Sequence, residues 1–254
     1  MVSDRDQGRG RRLSLMSGSG KNDRNIFDKM DITTMQKQTE AKVKAIFWDI
    51  DGTLIDSEEL HYQVIADWCG DHGSPLKKTD NDALLGKSMV EKWQILSEKY
   101  DFGSDEVSFK RECAERYCKA VSKDLERNEL TKIFRAVART STPQVCVSNG
   151  DMVVVKANLQ VLGLADMVPF NISGDDVEHG KPNPEPYLMA AARLGVQPAD
   201  CLVVEDSTVG VAAAVAAGMR VVAWPEENTP RDNYRKADYF VTCPEEFPTH
   251  LLPL

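Results

Sequence analysis

From Lys42 onward the chain alternates short apolar runs with amphipathic stretches, and the pattern changes character twice. Val43-Lys44-Ala45-Ile46-Phe47-Trp48 is an apolar run that ends in acids, as a buried strand does. Residues from about 57 to 123 contain no strong strand run. They predict helices over 60–69, 89–100 and 107–121, separated by breaks at Gly73-Ser74-Pro75 and Asp101-Phe102-Gly103. Strands and helices then alternate. Strands are expected at 144–148, 168–172, 201–204 and 220–224, and helices at 152–162, 185–194 and 209–217. Gly163, Gly195 and Gly218 each follow a helix where a left-handed cap is expected.

Repeated β-α alternation implies an α/β fold, a Rossmann-like parallel sheet with helices on both faces. The helical block interrupts it just after the first strand, so residues 59–125 are expected to form an inserted α-helical cap. Residues 41–58 and 126–254 then make the catalytic core. Residues 1–40 differ from everything after them. They hold ten hydrophobic residues, eight basic and six acidic ones. So little apolar area does not offset the entropy of ordering, and a disordered tail is expected.

Composition narrows the partners more than the chemistry. The net charge of −9 argues against a nucleic-acid partner, which normally meets a basic face. Small anionic substrates stay open, because local lysines and metal charge decide a pocket. Cys69, Cys113, Cys118, Cys146, Cys201 and Cys243 include no CxxC pair and no zinc-finger spacing, so reduced structural thiols are expected. No apolar run is long enough to span a bilayer, and the first twenty residues lack the apolar region of a secretory signal. These features predict a cytoplasmic protein without a membrane partner, as a monomer or weak homodimer.

In open α/β sheets ligands sit beyond the carboxyl ends of the strands. The polar residues expected there are Asp49-Ile50-Asp51-Gly52-Thr53, Ser148-Asn149-Gly150, Gly174-Asp175-Asp176 with His179-Gly180-Lys181-Pro182, and Glu205-Asp206-Ser207. Four acids, a hydroxyl and a lysine thus converge on one rim. Such carboxylates do not all ionise unless a cation joins them, and oxygen-only ligands select a hard ion such as Mg²⁺. Gly52 allows a tight turn that offers backbone N–H groups to an anion. Ser148 adds a hydrogen bond and Lys181 a positive charge, the requirements of a phosphoryl transition state. Each piece alone is also an ordinary turn, loop or helix start. Their occurrence in series is what those readings explain poorly.

These motifs resemble the haloacid dehalogenase-like (HAD) hydrolase superfamily, in its subgroup with a helical cap after the first motif. The matching segments are Asp49-Ile50-Asp51-Gly52-Thr53-Leu54-Ile55-Asp56-Ser57, Val147-Ser148-Asn149-Gly150, Gly180-Lys181-Pro182 and Val204-Glu205-Asp206-Ser207. The resemblance implies a Mg²⁺-dependent phosphomonoester hydrolase acting on a small phosphorylated metabolite. Asp49 would form an aspartyl-phosphate and bind the metal. Asp51 would be the acid and base, its carbonyl a further metal ligand. Ser148 and Lys181 would hold the phosphoryl group, with Asn149 as an added contact. Asp206 would ligate the metal, and Glu205 would ligate it or stand behind the ligands. Asp51 argues against a dehalogenase.

A β-phosphoglucomutase-like mutase is the alternative. His61 matches a histidine at the cap hinge of mutases and of many phosphatases in the subgroup. In the mutases a lysine and an arginine flank a Gly-x-Ser in the cap. Here Leu85-Gly86-Lys87-Ser88-Met89 has Leu85 and Met89 at those places, with Lys87 a partial substitute. Tyr62, Trp68 and Trp93 are expected in the cap's core or its pocket. A phospho-receiver or interaction module is the alternative from another class, and it would lack the helical block.

Overall fold

The four side chains of the central strand β1 (Ala45–Trp48) are all buried, as a strand covered on both faces requires. The protein's computed structural model describes residues 41–84 and 87–252, apart from the side chains of residues 78, 81 and 82. The expected disordered tail and Leu85 lie outside the described residues.

β2 (Gln144–Val147) pairs with one edge of β1 and β4 (Cys201–Glu205) with the other, both parallel. β3 (Asn171–Ile172), β5 (Arg220–Ala223) and β6 (Tyr239–Phe240) complete a six-stranded sheet in the order β3-β2-β1-β4-β5-β6, every pair parallel. The chain reverses its direction of travel across the sheet between β1 and β4, which places the ligand crevice beyond those two strand ends.

The two-residue period of a strand sends alternate side chains to opposite faces. Ile46 and Trp48 enter one core with Phe134, Leu159, Val204 and Val222. Ala45 and Phe47 enter the other with Val145, Tyr187, Val203 and Val221. The expected parallel α/β fold, with helices on both faces, is therefore present.

Between β1 and β2 the chain forms α1 (Glu58–Asp71), α2 (Lys78–Leu84), α3 (Met89–Lys99), α4 (Glu106–Ala120) and α5 (Asn128–Val137). Ser88 and Glu91 close a capping box that starts α3, and Asp105 accepts from the Ser108 N–H at 2.7 Å to start α4. The expected helices are present to within two residues at each end. Two helices, α2 and α5, were not expected from the sequence. α5 carries a good signal, since its buried Leu130, Thr131, Phe134 and Val137 fall on one helical face. Thr131 breaks the apolar pattern there, and its hydroxyl is satisfied by Glu126 at 2.6 Å.

After β2 come α6 (Met152–Leu162), α7 (Glu185–Leu194) and α8 (Thr208–Ala216). β3 starts three residues later than the apolar run, because Pro169 has no N–H to give a ladder. Tyr239–Phe240 is too short an edge strand for its alternation to be read.

The helical block has a core of its own. Trp68 is fully buried there, edge-on to Phe109 and Phe102 at 4.9 and 5.1 Å between centroids, and it donates to Glu112 at 3.0 Å. The two connections between this block and the sheet run side by side. Ile55 bridges Glu126 antiparallel, the Asp56 N–H reaches Leu125 O at 2.8 Å, and the Arg127 N–H reaches Leu54 O at 3.0 Å. The Arg127 guanidinium then donates to the carbonyl of Gly52.

Removing the largest side chain of the helical block tests this packing. Trp68→Ala is expected to destabilise the protein by about 3–5 kcal/mol, the usual cost of an aromatic-sized cavity. Chemical denaturation followed by circular dichroism reads it. A loss below about 1 kcal/mol would contradict the packing described.

Candidate active site

Asp49 follows the last residue of β1, and its N–H bonds to Val204 O at 3.0 Å, so the ladder with β4 continues to the acid itself. Glu205 ends β4, and Asp206 follows it. This register brings one carboxylate oxygen from each of Asp49, Glu205 and Asp206 within 4.8 Å of one another. At an effective dielectric of about 20, like charges that close repel by about 3 kcal/mol per pair or more. Something must hold the group together.

Part of the answer is Lys181. Its ammonium is buried and lies 2.5 Å from Asp49 Oδ1, 2.6 Å from Glu205 Oε1 and 2.8 Å from the Val147 carbonyl. Burial alone would lower its pKa, but Asp49 and Glu205 together outweigh that and hold it well above the ordinary lysine value. Asn149 fixes the lysine's backbone from both sides, its amide donating to Lys181 O at 3.0 Å and its carbonyl accepting from Lys181 N at 2.8 Å. The Asn149 side chain, expected against phosphate, is thus occupied in aiming the lysine.

One lysine does not neutralise three acids. Burial and the Glu205 charge raise Asp49 well above the usual carboxylate range, and the same two causes push Asp206 up to about 7. Asp49 Oδ2 is buried and, among the described residues, has no hydrogen-bond partner. Asp206 Oδ1 accepts from Thr53 at 2.8 Å. Gly52 has φ of 83°, and a Cβ there would sit 2.3 Å from Asp206 Oδ2, so this turn tolerates no side chain.

Glu205 is placed differently from the other two acids. Its Oε1 accepts from Lys181 and, at 2.8 Å, from the Tyr187 hydroxyl, while Oε2 accepts from Ser207 N and Oγ at 3.2 and 2.9 Å. Its acceptor positions are filled, so it anchors the lysine rather than offering a free oxygen. Gly210 makes this possible, because a Cβ there would lie 1.7 Å from Glu205 Oε1.

Asp51 points away from the triad. Its Oδ1 accepts from Ser57 at 2.8 Å and Asn158 at 3.1 Å and faces His61 Nε2 at 3.3 Å, and its Oδ2 accepts from Ser148 at 3.1 Å. Burial pushes this carboxyl up, but the bonds from His61, Ser57 and Ser148 together hold it at about 2. Its carboxylate is not part of the triad, and among the described residues no hydrogen bond ends on the Asp51 carbonyl. His61 comes from α1 and stacks on Tyr117 of α4 at 4.3 Å between centroids. The helical block therefore touches Asp51 directly.

Asp49, Asp51, Ser148, Asn149, Lys181 and Asp206 all line one cavity of about 170 Å³. A cavity of that size holds several waters or one small metabolite. His61, Tyr62, Lys87, Met89 and Lys92 roof the cavity from the helical block. Trp68 and Trp93 belong to the block's own core, whereas Tyr62 reaches the cavity.

Tyr187, Asn158 and Lys92 were not singled out by sequence reasoning. Asn158 left a signal, a buried polar residue on the apolar face of α6. Tyr187 looks like ordinary core on α7, and Lys92 is one lysine among several.

The wider resemblances agree with this geometry. Residues 43–218 match the family model of haloacid dehalogenase-like hydrolases. YhcW of Bacillus subtilis (strain 168) is 32% identical over 188 residues, covering 74% of this chain and 86% of that protein. The fructose-1-phosphate phosphatase YqaB of Escherichia coli (strain K12) is 28% identical over 180 residues, covering 70% of this chain and 94% of that one. In fold, the chain superimposes on CbbY from Rhodobacter sphaeroides, crystallised as a mutant in complex with xylulose-(1,5)bisphosphate. That match has a TM-score of 0.72 at 21% identity, over 80% of this chain and 96% of the other. A parallel sheet with this strand order, acids at the ends of β1 and β4, and a family match over most of the folded chain lead to one conclusion: the protein belongs to the haloacid dehalogenase-like hydrolases.

Proposed function

We propose that the protein is a Mg²⁺-dependent phosphatase that hydrolyses a small phosphorylated metabolite through a phosphorylated Asp49. The observation that carries this is Asp49 itself, buried, with one oxygen on Lys181 and the other without a partner among the described residues. A carboxylate oxygen held in that way is free to attack phosphorus or to meet a cation.

The residues suit a hard divalent ion. Asp49 and Asp206 offer carboxylate oxygens with raised proton affinity, and the Asp51 carbonyl is uncommitted. No nitrogen or sulfur ligand is among them, the donor set that Mg²⁺ takes. When bound, the ion would neutralise the crowded acids and the charge on the phosphoryl oxygens.

The chain's own residues then divide the work. An oxygen of Asp49 attacks phosphorus, and the bond to the ester oxygen breaks. Lys181 and the Ser148 hydroxyl hold the phosphoryl oxygens. Asp51 gives a proton to the leaving alkoxide and afterwards takes one from the water that releases phosphate from Asp49. The cradle of Ser57, His61, Asn158 and Ser148 favours ionised Asp51, which suits the second half of the reaction. Donating a proton requires Asp51 to leave part of that cradle and turn toward the cavity.

Relatives support a sugar-phosphate class of substrate, since YqaB of Escherichia coli is named for fructose 1-phosphate. The mutase alternative would pass the phosphoryl group to a second hydroxyl instead of water. Met89, at one of the two cationic positions of the mutases, places an apolar side chain in the cavity, which favours water.

Purified protein is expected to release phosphate from p-nitrophenyl phosphate or a sugar phosphate only when Mg²⁺ is present. Asp49→Asn is expected to lower kcat by at least about 10³-fold with an unchanged circular dichroism spectrum. A near-wild-type rate would remove Asp49 from the nucleophile's role.

Cation binding should also depend on pH with a definite sign. Asp206 keeps its proton up to about 7, and the ion needs it ionised, so affinity rises with pH through that value. Without metal, a carboxyl whose folded pKa is raised costs stability progressively from its unfolded pKa of about 3.9 up to the folded one. Added Mg²⁺ is therefore expected to raise Tm more at pH 8 than at pH 5.5, read by differential scanning fluorimetry. An equal increment at both values would contradict the assigned ligands.

A further inference from the structure

A buried asparagine is costly unless both ends of its amide find partners. Asn158 lies on the buried face of α6 with no exposed surface, and its two partners come from distant parts of the chain. Its Nδ2 donates to Asp51 Oδ1 at 3.1 Å, and its Oδ1 accepts from the Tyr117 hydroxyl at 2.9 Å. Tyr117 belongs to α4 and is itself buried, its ring stacked on His61. A hydroxyl, an amide and a carboxylate thus stand in line, running from the helical block through the core helix to Asp51.

Chemistry fixes the direction of that line. An ionised carboxylate only accepts, so the end of the amide that meets Asp51 is the NH₂. The carbonyl is then left to Tyr117, which must donate. Burial first, and the charge of Asp51 after it, push the Tyr117 phenol above its ordinary pKa, so it keeps the proton that it shares. Among the described residues, this hydroxyl is the only donor to Asn158 Oδ1. Losing it would leave a buried carbonyl unpaired and the amide free to turn.

The two oxygens of Asp51 are thereby made unequal. Oδ1 is held by Ser57 and Asn158 and faces His61. Oδ2 accepts from Ser148 alone among the described residues, and it lies beside Gly150, where a Cβ would come 3.6 Å from it. Ser148 and Gly150 both line the cavity. We propose that Tyr117 and Asn158 are positioning residues for the proton transfer: the hydroxyl sets the amide, the amide pins Oδ1, and Oδ2 is left to carry the proton. This rests on the phosphatase assignment above. In the first step the bond from Asp49 to phosphorus forms and the ester P–O bond breaks. The electron pair released on the ester oxygen takes the proton from Oδ2, and Asp51 is left ionised.

The leaving group separates positioning from a merely structural role. An alkoxide departs with that proton, whereas p-nitrophenolate is a weak base and departs without it. Tyr117→Phe keeps the ring and removes only the donor. Its kcat/KM is expected to fall about ten- to a hundred-fold on fructose 1-phosphate or sorbitol 6-phosphate, within the roughly 10²- to 10⁴-fold that a positioned acid supplies. On p-nitrophenyl phosphate it should stay within about threefold. Asn158→Leu, of similar volume, should show the same preference. The double variant should be no worse than Asn158→Leu by more than about twofold, because Tyr117 acts through Asn158.

Equal loss on both kinds of ester, no loss on the sugar phosphates, or losses that multiply in the double variant overturn the proposal. Crystal structures of the wild type and of Tyr117→Phe read the positioning without turnover. The contact between Asn158 and Asp51 is expected to be lost in the variant, opening beyond about 3.5 Å. Its survival overturns the proposal whether or not the enzyme turns over. Absence of turnover by the wild type on both kinds of ester overturns the phosphatase assignment instead.

Discussion

The bond between Lys181 and its two acids holds the catalytic rim together. Three carboxylates meet at the ends of β1 and β4 because the register of parallel strands puts them there, at a cost in mutual repulsion. Lys181 offsets part of it, bonded to Asp49 on one side and Glu205 on the other. Glu205 is held in turn by Tyr187 and Ser207, and the lysine's backbone is clamped by Asn149. What remains is a deficit of positive charge, expressed as the raised pKa values of Asp49 and Asp206. A divalent ion at the triad would supply the missing positive charge. An incoming phosphate adds negative charge, so it would bind better once that ion is in place.

Much of this is legible in the sequence because strand ends are legible. Each apolar run is short, and the polar residues just after it are few, so Asp49, Ser148 and Asp206 stand out without coordinates. Parallel pairing follows from β-α alternation, and parallel pairing places successive strand ends on one rim. The residues themselves do not reveal the division of labour among the acids. Asp51 and Asp206 look equivalent as exposed turn carboxylates. Their opposite shifts arise from partners far along the chain, Ser148 and Asn158 for one and burial beside Glu205 for the other.

The supporting residues are illegible for a related reason. Tyr187 is an aromatic on a helix face that already reads as core, and nothing local says that its hydroxyl meets Glu205. The α5 helix does carry a readable apolar face, but Thr131 interrupts it, and the partner that makes Thr131 tolerable is Glu126, outside the helix. In the helical block the difficulty is of another kind. Side chains of α1 and α3 supply much of the cavity's roof, and which of them point into it depends on packing angles that no local pattern sets.

The paired connections at Ile55 and Glu126 have a mechanical meaning. The outgoing and returning segments are cross-linked by two backbone hydrogen bonds, which together make the Ile55–Glu126 bridge. Arg127, on the returning segment, also grips the carbonyl of Gly52, inside the very turn that carries Asp51. A tilt of the helical block therefore does not dissipate in two slack linkers. It arrives as a torque on the Asp51-Gly52 turn, while His61 pulls on the same aspartate from the other side. A tilt of the roof would thus also re-aim Asp51, the proton carrier of the proposed reaction, in a single movement, like a lid whose hinge pin is also the latch.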